Sequence, residues 1–89
     1  MSAPEESPLQ FPCSFPIKAM GLADEGFDSQ VVGIVRRHSP DILEGAVTTR
    51  ASSGGKYLAV TVTIHAQSRE QLDAIYQDLV ACEQVLFAI

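Results

Sequence analysis

The sequence predicts an α+β domain in which a four-stranded antiparallel sheet, ordered 4-1-3-2, carries two helices on one face. Three observations lead to this fold class. Apolar residues alternate in four segments, they recur at helical intervals in two others, and the turn SSGGK separates two of the strand segments. Right-handed crossovers for both strand–helix–strand units, combined with the central hairpin, leave this strand order as the simple solution.

The first strand is predicted over residues 14–21. The segment CSFPIKAMG places Phe15, Ile17 and Ala19 on one side and stops at a glycine. From residue 24 the spacing becomes helical, with acids at the front and the basic RRH at the back, an arrangement that suits the helix dipole. Pro40 forbids continuation, so the first helix is predicted over residues 25–38.

A hairpin follows the first helix. Residues 43–52 alternate weakly and run into SSGGK, whose glycines can adopt positive φ. The segment KYLAVTVTIHA, residues 56–66, alternates most regularly and is the predicted third strand. Its apolar set points into the core, and its other set points away from both helices.

The second helix is predicted over residues 69–81. Ser68 stands three residues before Gln71 in a capping-box pattern, and an apolar stripe follows. The closing QVLFAI is the fourth strand, with Val85, Phe87 and Ile89 predicted on the core face. Leu86 and Ala88 are predicted on the opposite face. The resulting βαββαβ order is that of the ferredoxin-like fold.

Length and composition predict one small domain. With 89 residues the chain supports a single core, predicted over residues 11–89, after a flexible tail over residues 1–10 that is rich in Pro, Ser and Glu. The net charge of −5 opposes nucleic-acid binding, because that affinity comes largely from neutralised phosphates. No apolar run is long enough for a membrane span, and no secretory signal is present, so we expect a cytoplasmic protein without a membrane partner.

Metal and cofactor sites are not predicted. The topology brings Cys13, His38 and His65 to one end of the sheet, but no paired ligand spacing supports them, and the two histidines belong to opposite layers. We expect His38 to end a helix and His65 to face solvent. A single aromatic residue, Tyr57, on the third strand also argues against an RNA-binding sheet.

The sheet face opposite the helices has nothing in the chain to cover it. Its composition is more apolar than solvation requires, and exposed apolar patches commonly mark interaction sites. We therefore predict that a protein partner or a second copy binds this face or the edge strand beside it. The candidate interaction residues are Lys18, Met20, Tyr57, Thr61, Thr63 and His65.

Three segments together resemble a known family. FPCSFPIKAMG, QVVGIVRRHSP and SSGGKYLAVTVTIHAQSREQLDAIY, in this order and spacing, resemble the YbeD-like family of small bacterial proteins of unknown function, of the UPF0250 type. The resemblance implies a ferredoxin-like domain similar to the ACT regulatory domains, which bind amino acids beside metabolic enzymes. It also implies a link to lipoate metabolism, and it implies no known reaction.

In ACT-like domains the loop after the first strand borders a small-molecule site. The corresponding candidate ligand loop here contains Gly21, Asp24 and Gly26, and amides at the following helix start could hold a carboxylate. Acidic residues at a helix start ordinarily act as caps, however, which favours a structural role for Asp24 and Glu25.

The function predicted from the sequence is that of a non-catalytic protein-interaction or regulatory module. No nucleophile–base pair or carboxylate pair is recognisable, so no enzyme activity and no cofactor are expected. The alternative is a sensor domain that binds a small metabolite at the candidate ligand loop.

Overall fold

Two strand–helix–strand units follow each other in the computed structural model, which describes residues 10–89. The chain order is β1 (Cys13–Leu22), α1 (Phe27–Arg36), β2 (Val47–Ala51), β3 (Tyr57–Ala66), α2 (Arg69–Ala81) and β4 (Val85–Ala88), with a 3₁₀ turn at Glu44–Ala46. Apart from Gln10, the predicted flexible tail over residues 1–10 lies outside the described residues. No helix in the described range is long and apolar enough to cross a membrane.

The four strands form one antiparallel sheet in the order β2-β3-β1-β4, which confirms the predicted α+β ferredoxin-like topology. The long strands β1 and β3 pair along their whole length, from Cys13 opposite Ala66 to Leu22 opposite Tyr57. The shorter β2 and β4 are the edges, since each has a neighbour on one side only.

The core lies between the sheet and the two helices. The alternating residues Val60, Val62 and Ile64 of β3 are buried, and Ile17 and Ala19 of β1 lie opposite two of them. The helices add Phe27, Val31, Ile34 and Val35 from α1 and Leu72, Ile75 and Leu79 from α2. The other face of the sheet, which we call the open face, has neither of the two described helices against it.

The two helix starts differ in how closely they follow the sequence prediction. The α2 start is as predicted, because the Ser68 side chain accepts a hydrogen bond of 3.1 Å from the Gln71 backbone N–H. The α1 start is two residues later than predicted. Its N-cap is Gly26 with φ of 86°, and no side chain caps it, so the predicted capping role of Asp24 and Glu25 is wrong.

Strand β4 corrects a second prediction. Ala19 lies opposite Ala88 and Met20 opposite Phe87, but Gly21 lies opposite Val85, so Leu86 is an extra residue in β4. Such a bulge reverses the alternation of side chains on either side of it. Phe87 is therefore on the open face and Ala88 on the core side, whereas the simple alternation predicts the reverse.

Candidate functional site

The open face is crossed by rows of side chains from paired strands. One row contains Lys18 of β1, Thr61 of β3 and Thr48 of β2. Ile89 extends this row, because its backbone N–H and C=O bond to those of Lys18 at 2.9 and 3.1 Å.

The next row begins at Phe87 of β4 and continues through Met20, Ala59 and Arg50. Leu22 and Tyr57 face each other at the end of the β1–β3 pair. Residues opposite each other on one face lie within side-chain contact distance, so these rows define one continuous surface.

Most of the large apolar side chains of this surface lie on β4 and β1 or directly follow β4, and Tyr57 of β3 faces Leu22 of β1. Phe87 is 49% exposed, Leu22 45% and Ile89 66%. Met20 and Tyr57 are partly buried. We call the following five residues the apolar cluster: Met20, Leu22, Tyr57, Phe87 and Ile89. Single exposed apolar residues are normal on protein surfaces, whereas a group of large ones on one surface commonly marks an interaction site.

Cationic and hydroxyl side chains occupy the part of the surface formed by β2, β3 and the neighbouring Lys18 of β1. They surround a concavity of about 160 Å³, which we call the sheet hollow, lined by Lys18, Thr48, Thr49, Arg50, Ala59 and Thr61. None of the four described strands contains Asp or Glu. A third cation borders the face, because the Lys56 ammonium lies 5.5 Å from the centre of the Tyr57 ring.

The structure places all six predicted interaction residues on the open face, but in separate regions. Met20 and Tyr57 belong to the apolar cluster, and Lys18 and Thr61 line the sheet hollow. Thr63 and His65 lie beyond the end of β2 and line a different cavity of about 450 Å³, together with residues of the segment between α1 and β2. The sequence alone does not reveal this division.

The candidate ligand loop is not assembled as predicted. Gly21 is part of β1 and is buried beneath the Phe27 ring and the Gln84 carbonyl, so it is not in a loop and has no room for a ligand beside it. Asp24 and Gly26 are exposed. The Asp24 carbonyl already accepts a hydrogen bond of 3.1 Å from the Phe27 N–H.

The two histidines lie in different layers. His38 follows α1, and its Nε2 atom lies 2.7 Å from the Asp78 carboxylate of α2. The His38 hydrogen bond has the largest effect on the pKa of Asp78 and lowers it. Burial raises this pKa by a smaller amount, and the charges of His38 and Arg37 lower it again by less still. His65 is exposed on the open face opposite Ser14. Within the described residues no three side chains of His, Cys, Asp or Glu form a metal-binding group.

The sequence profile of DUF493, a protein family of unknown function, matches residues 6–89. The chain belongs to the DUF493 family. Curated relatives carry the name UPF0250 protein, which confirms the predicted family resemblance. One from Nitrosomonas europaea is 47% identical over 75 residues, covering 84% of this chain and 86% of the relative. One from Paraburkholderia phytofirmans is 48% identical over 79 residues, covering 89% of each chain.

A solved structure supports the fold of this DUF493 chain. The solution structure of protein HP0495 from H. pylori superposes with a TM-score of 0.69, covering 98% of this chain and 94% of the other at 11% sequence identity. At that identity the likeness shows the shared ferredoxin-like fold and nothing about activity.

Three residues of the DUF493 open face are missed by the sequence analysis. Phe87 and Ile89 are predicted on the core face, and Leu22 falls beyond the predicted end of β1. The signal that identifies them is Gly21, because an isolated glycine within a strand pattern often marks a bulge or a close approach of another backbone. Here it marks both.

The helical layer carries a concavity of about 730 Å³ between α1, α2 and the turn before β4. Its rim is polar and is bridged by a hydrogen bond of 3.0 Å between the side chains of Gln30 and Gln84. Arg37 and Asp78 also line it. Asp78 is paired with His38, and the charge of Arg37 acts on the same carboxylate, so these two lining residues already take part in contacts within the fold.

Proposed function

We propose that this DUF493 chain is a non-catalytic contact module that binds a protein partner through its open face. The observation that carries the proposal is the apolar cluster on the side of the sheet opposite the two described helices. Each Å² of apolar surface removed from water contributes about 25 cal/mol. A partner that covers these side chains therefore gains stabilisation that the isolated fold does not use.

The chemistry of the cluster supports a protein partner. Aromatic residues and methionine are enriched at the centres of protein interfaces, and Met20, Tyr57 and Phe87 are of these types. The flexible thioether of Met20 can adapt to an irregular surface. Tyr57 presents an apolar ring and a hydroxyl group, a combination suited to a boundary between a partner and water.

The non-catalytic part of the proposal rests on the side chains that share the face. General acid–base chemistry needs an acid or base within hydrogen-bond reach of a reacting group. The side-chain hydrogen bonds found among residues 10–89 join no open-face hydroxyl to an acid or a base. The His65 ring, which also lies on this face, makes none of these hydrogen bonds. The rest of the face is built mostly of Thr, Ala and apolar residues around Lys18 and Arg50, a composition that suits recognition.

The family resemblance extends the proposal to the pathway. It implies a regulatory role beside enzymes of lipoate metabolism, and we include such an enzyme as the partner of first choice. This extension rests on the resemblance, whereas the binding face rests on the geometry.

The test is the double variant Met20→Ser/Phe87→Ser. Both side chains are partly exposed on the open face, so the variant is expected to fold with a thermal midpoint close to that of the parent. Val80→Ser is the matched control, because Val80 is 70% exposed on α2, away from the sheet. Parent, variant and control serve as bait in the same lysate, and the captured proteins are quantified by mass spectrometry.

We expect the double variant to capture about tenfold less partner than the parent, or less still, because truncation of interface anchors weakens binding by this amount. The Val80→Ser control should capture as much as the parent. Equal capture by all three proteins would show that the open face is simply solvated and that the proposal is wrong.

A further inference from the structure

The sheet hollow lies beside the apolar cluster and has a different chemistry. Ala59 forms its floor, between Met20 on one side and Arg50 on the other. A methyl group between two long side chains leaves a depression in the surface. Thr48 and Thr61 border the depression in the neighbouring row, and both carry hydroxyl groups that can donate hydrogen bonds.

The two cations of the hollow have no carboxylate partner in the described part of the chain, where the single ion pair joins His38 and Asp78. Lys18 and Arg50 are both exposed. A guanidinium group presents two parallel N–H donors that match a carboxylate, and an ammonium group adds a second positive charge. Two cations and two hydroxyl donors around one concavity are complementary to a carboxylate group.

The distribution of charge favours a partner that differs from this chain. The whole molecule has a net charge of −5, yet the four strands contain no Asp or Glu. An isologous dimer through the open face would bring Lys18 and Arg50 of one copy towards the same cations of the other, and like charges across an interface are unfavourable. An acidic surface on another protein meets no such repulsion and is attracted at a distance.

We infer that the open face binds an acidic segment of a partner protein, whose Asp or Glu carboxylate enters the sheet hollow beside an apolar anchor. The anchor packs on Met20 and Phe87, one to two strand spacings from the hollow, or roughly 5–10 Å. This inference rests on the proposed function and names the chemistry of the partner. It explains why a face rich in apolar residues retains two exposed cations beside them.

The probe is a random peptide library displayed on phage and selected against the full chain, followed by titration of synthetic copies of the selected peptides. We expect the selected peptides to pair Asp or Glu with a nearby large apolar residue. The variant Lys18→Gln/Arg50→Gln should weaken their affinity by about tenfold or more. The control Arg36→Gln/Arg69→Gln removes two exposed helical cations and should change the affinity by less than about twofold.

A peptide in which the acid is replaced by its amide completes the cycle. The amide peptide should bind the parent as weakly as the acidic peptide binds Lys18→Gln/Arg50→Gln. Its affinity should not fall further on that variant, because the same contact is absent in both cases. Equal weakening by the helical control would show general attraction between opposite charges and would overturn the inference.

The remaining outcomes separate this inference from the proposed function. Peptides without acids that depend on Met20 and Phe87, but not on Lys18 and Arg50, would overturn the acidic partner and retain the contact module. Peptides and lysate proteins that bind every open-face variant as they bind the parent would overturn both. Self-association in sedimentation that Lys18→Gln/Arg50→Gln strengthens would identify a second copy as the occupant and overturn the acidic partner.

Discussion

Gly21 lies where β1, the start of α1 and the turn before β4 meet. A Cβ atom on this residue would overlap the Gln84 carbonyl oxygen and lie 2.6 Å from the Phe27 ring, which real Cβ contacts do not tolerate. Gln84 immediately precedes Val85, which lies opposite Gly21, and the β1–β4 register shifts between Met20 and Gly21. The missing side chain of Gly21 therefore leaves room for the backbone before β4 and for the Phe27 ring, next to the bulge.

Gly21→Ala is expected to destabilise the protein by roughly 1–3 kcal/mol, because either β4 or the buried Phe27 ring must move. Gly33→Ala is the matched control within α1, where a new Cβ atom meets nothing within 4 Å. That change should stabilise the protein by up to about 1 kcal/mol through helix propensity. Denaturant unfolding of both variants measures the two changes in the free energy of unfolding, and a neutral Gly21→Ala would contradict the close packing of Phe27 and Gln84 around Gly21.

At the scale of secondary-structure elements, polar side-chain contacts connect α1 to α2 in addition to the apolar packing between them. The Gln71 side-chain amide donates a hydrogen bond of 2.8 Å to the His38 backbone carbonyl, while the His38 ring lies 2.7 Å from the Asp78 carboxylate. The end of α1 is therefore attached to both the start and the last turn of α2.

The His38–Asp78 pair predicts a pH-dependent contribution to stability. The pKa of Asp78 is lowered in the folded protein from its ordinary value of 3.8, mainly by the His38 hydrogen bond. A carboxyl group of this kind adds stability above its unfolded pKa and loses it as the pH falls through the lower folded pKa. Asp78→Asn should therefore lower the thermal midpoint at neutral pH. Its difference from the parent should vanish once the pH is below the folded-state pKa of Asp78.

Asp73→Asn is the control for this measurement, because Asp73 is exposed on the same helix. Its thermal midpoint should follow that of the parent at every pH. An Asp78→Asn difference that persists unchanged at the most acidic pH would show that the ion pair is not its cause.

The helices and strands also show which parts of the fold can be predicted from the sequence. The start of α2 is predicted to the residue, because Ser68 and Gln71 form a local capping contact that needs no tertiary information. The face assignment within β4 is wrong, because the bulge opposite Gly21 arises from packing between distant segments. The open face is thus predictable from the alternation in β1 and β3, whereas its apolar cluster requires the register of β4.

At the scale of the whole molecule, the sheet separates a stabilising face from a binding face. The helix-covered face holds the buried cluster, including Val62 and Leu72, whose exposed fractions are 0% and 3%. The open face holds partly buried and exposed side chains around Lys18 and Met20. Successive side chains of a strand point to opposite faces of the sheet. Substitutions at neighbouring positions should therefore affect different properties of the protein.

Leu72→Ala and Thr61→Ala test this separation. Leu72→Ala should lower the free energy of unfolding by about 2–4 kcal/mol, since it removes a buried side chain and leaves a cavity. Thr61→Ala, adjacent in β3 to the buried Val62 but on the open face, should cost less than about 1 kcal/mol. Partner binding should respond in the opposite order, because Thr61 lines the sheet hollow and Leu72 lies on the other side of the sheet. Denaturant unfolding and peptide titration on the same preparations measure both properties, and a Thr61→Ala variant that loses more stability than Leu72→Ala would reverse the two faces.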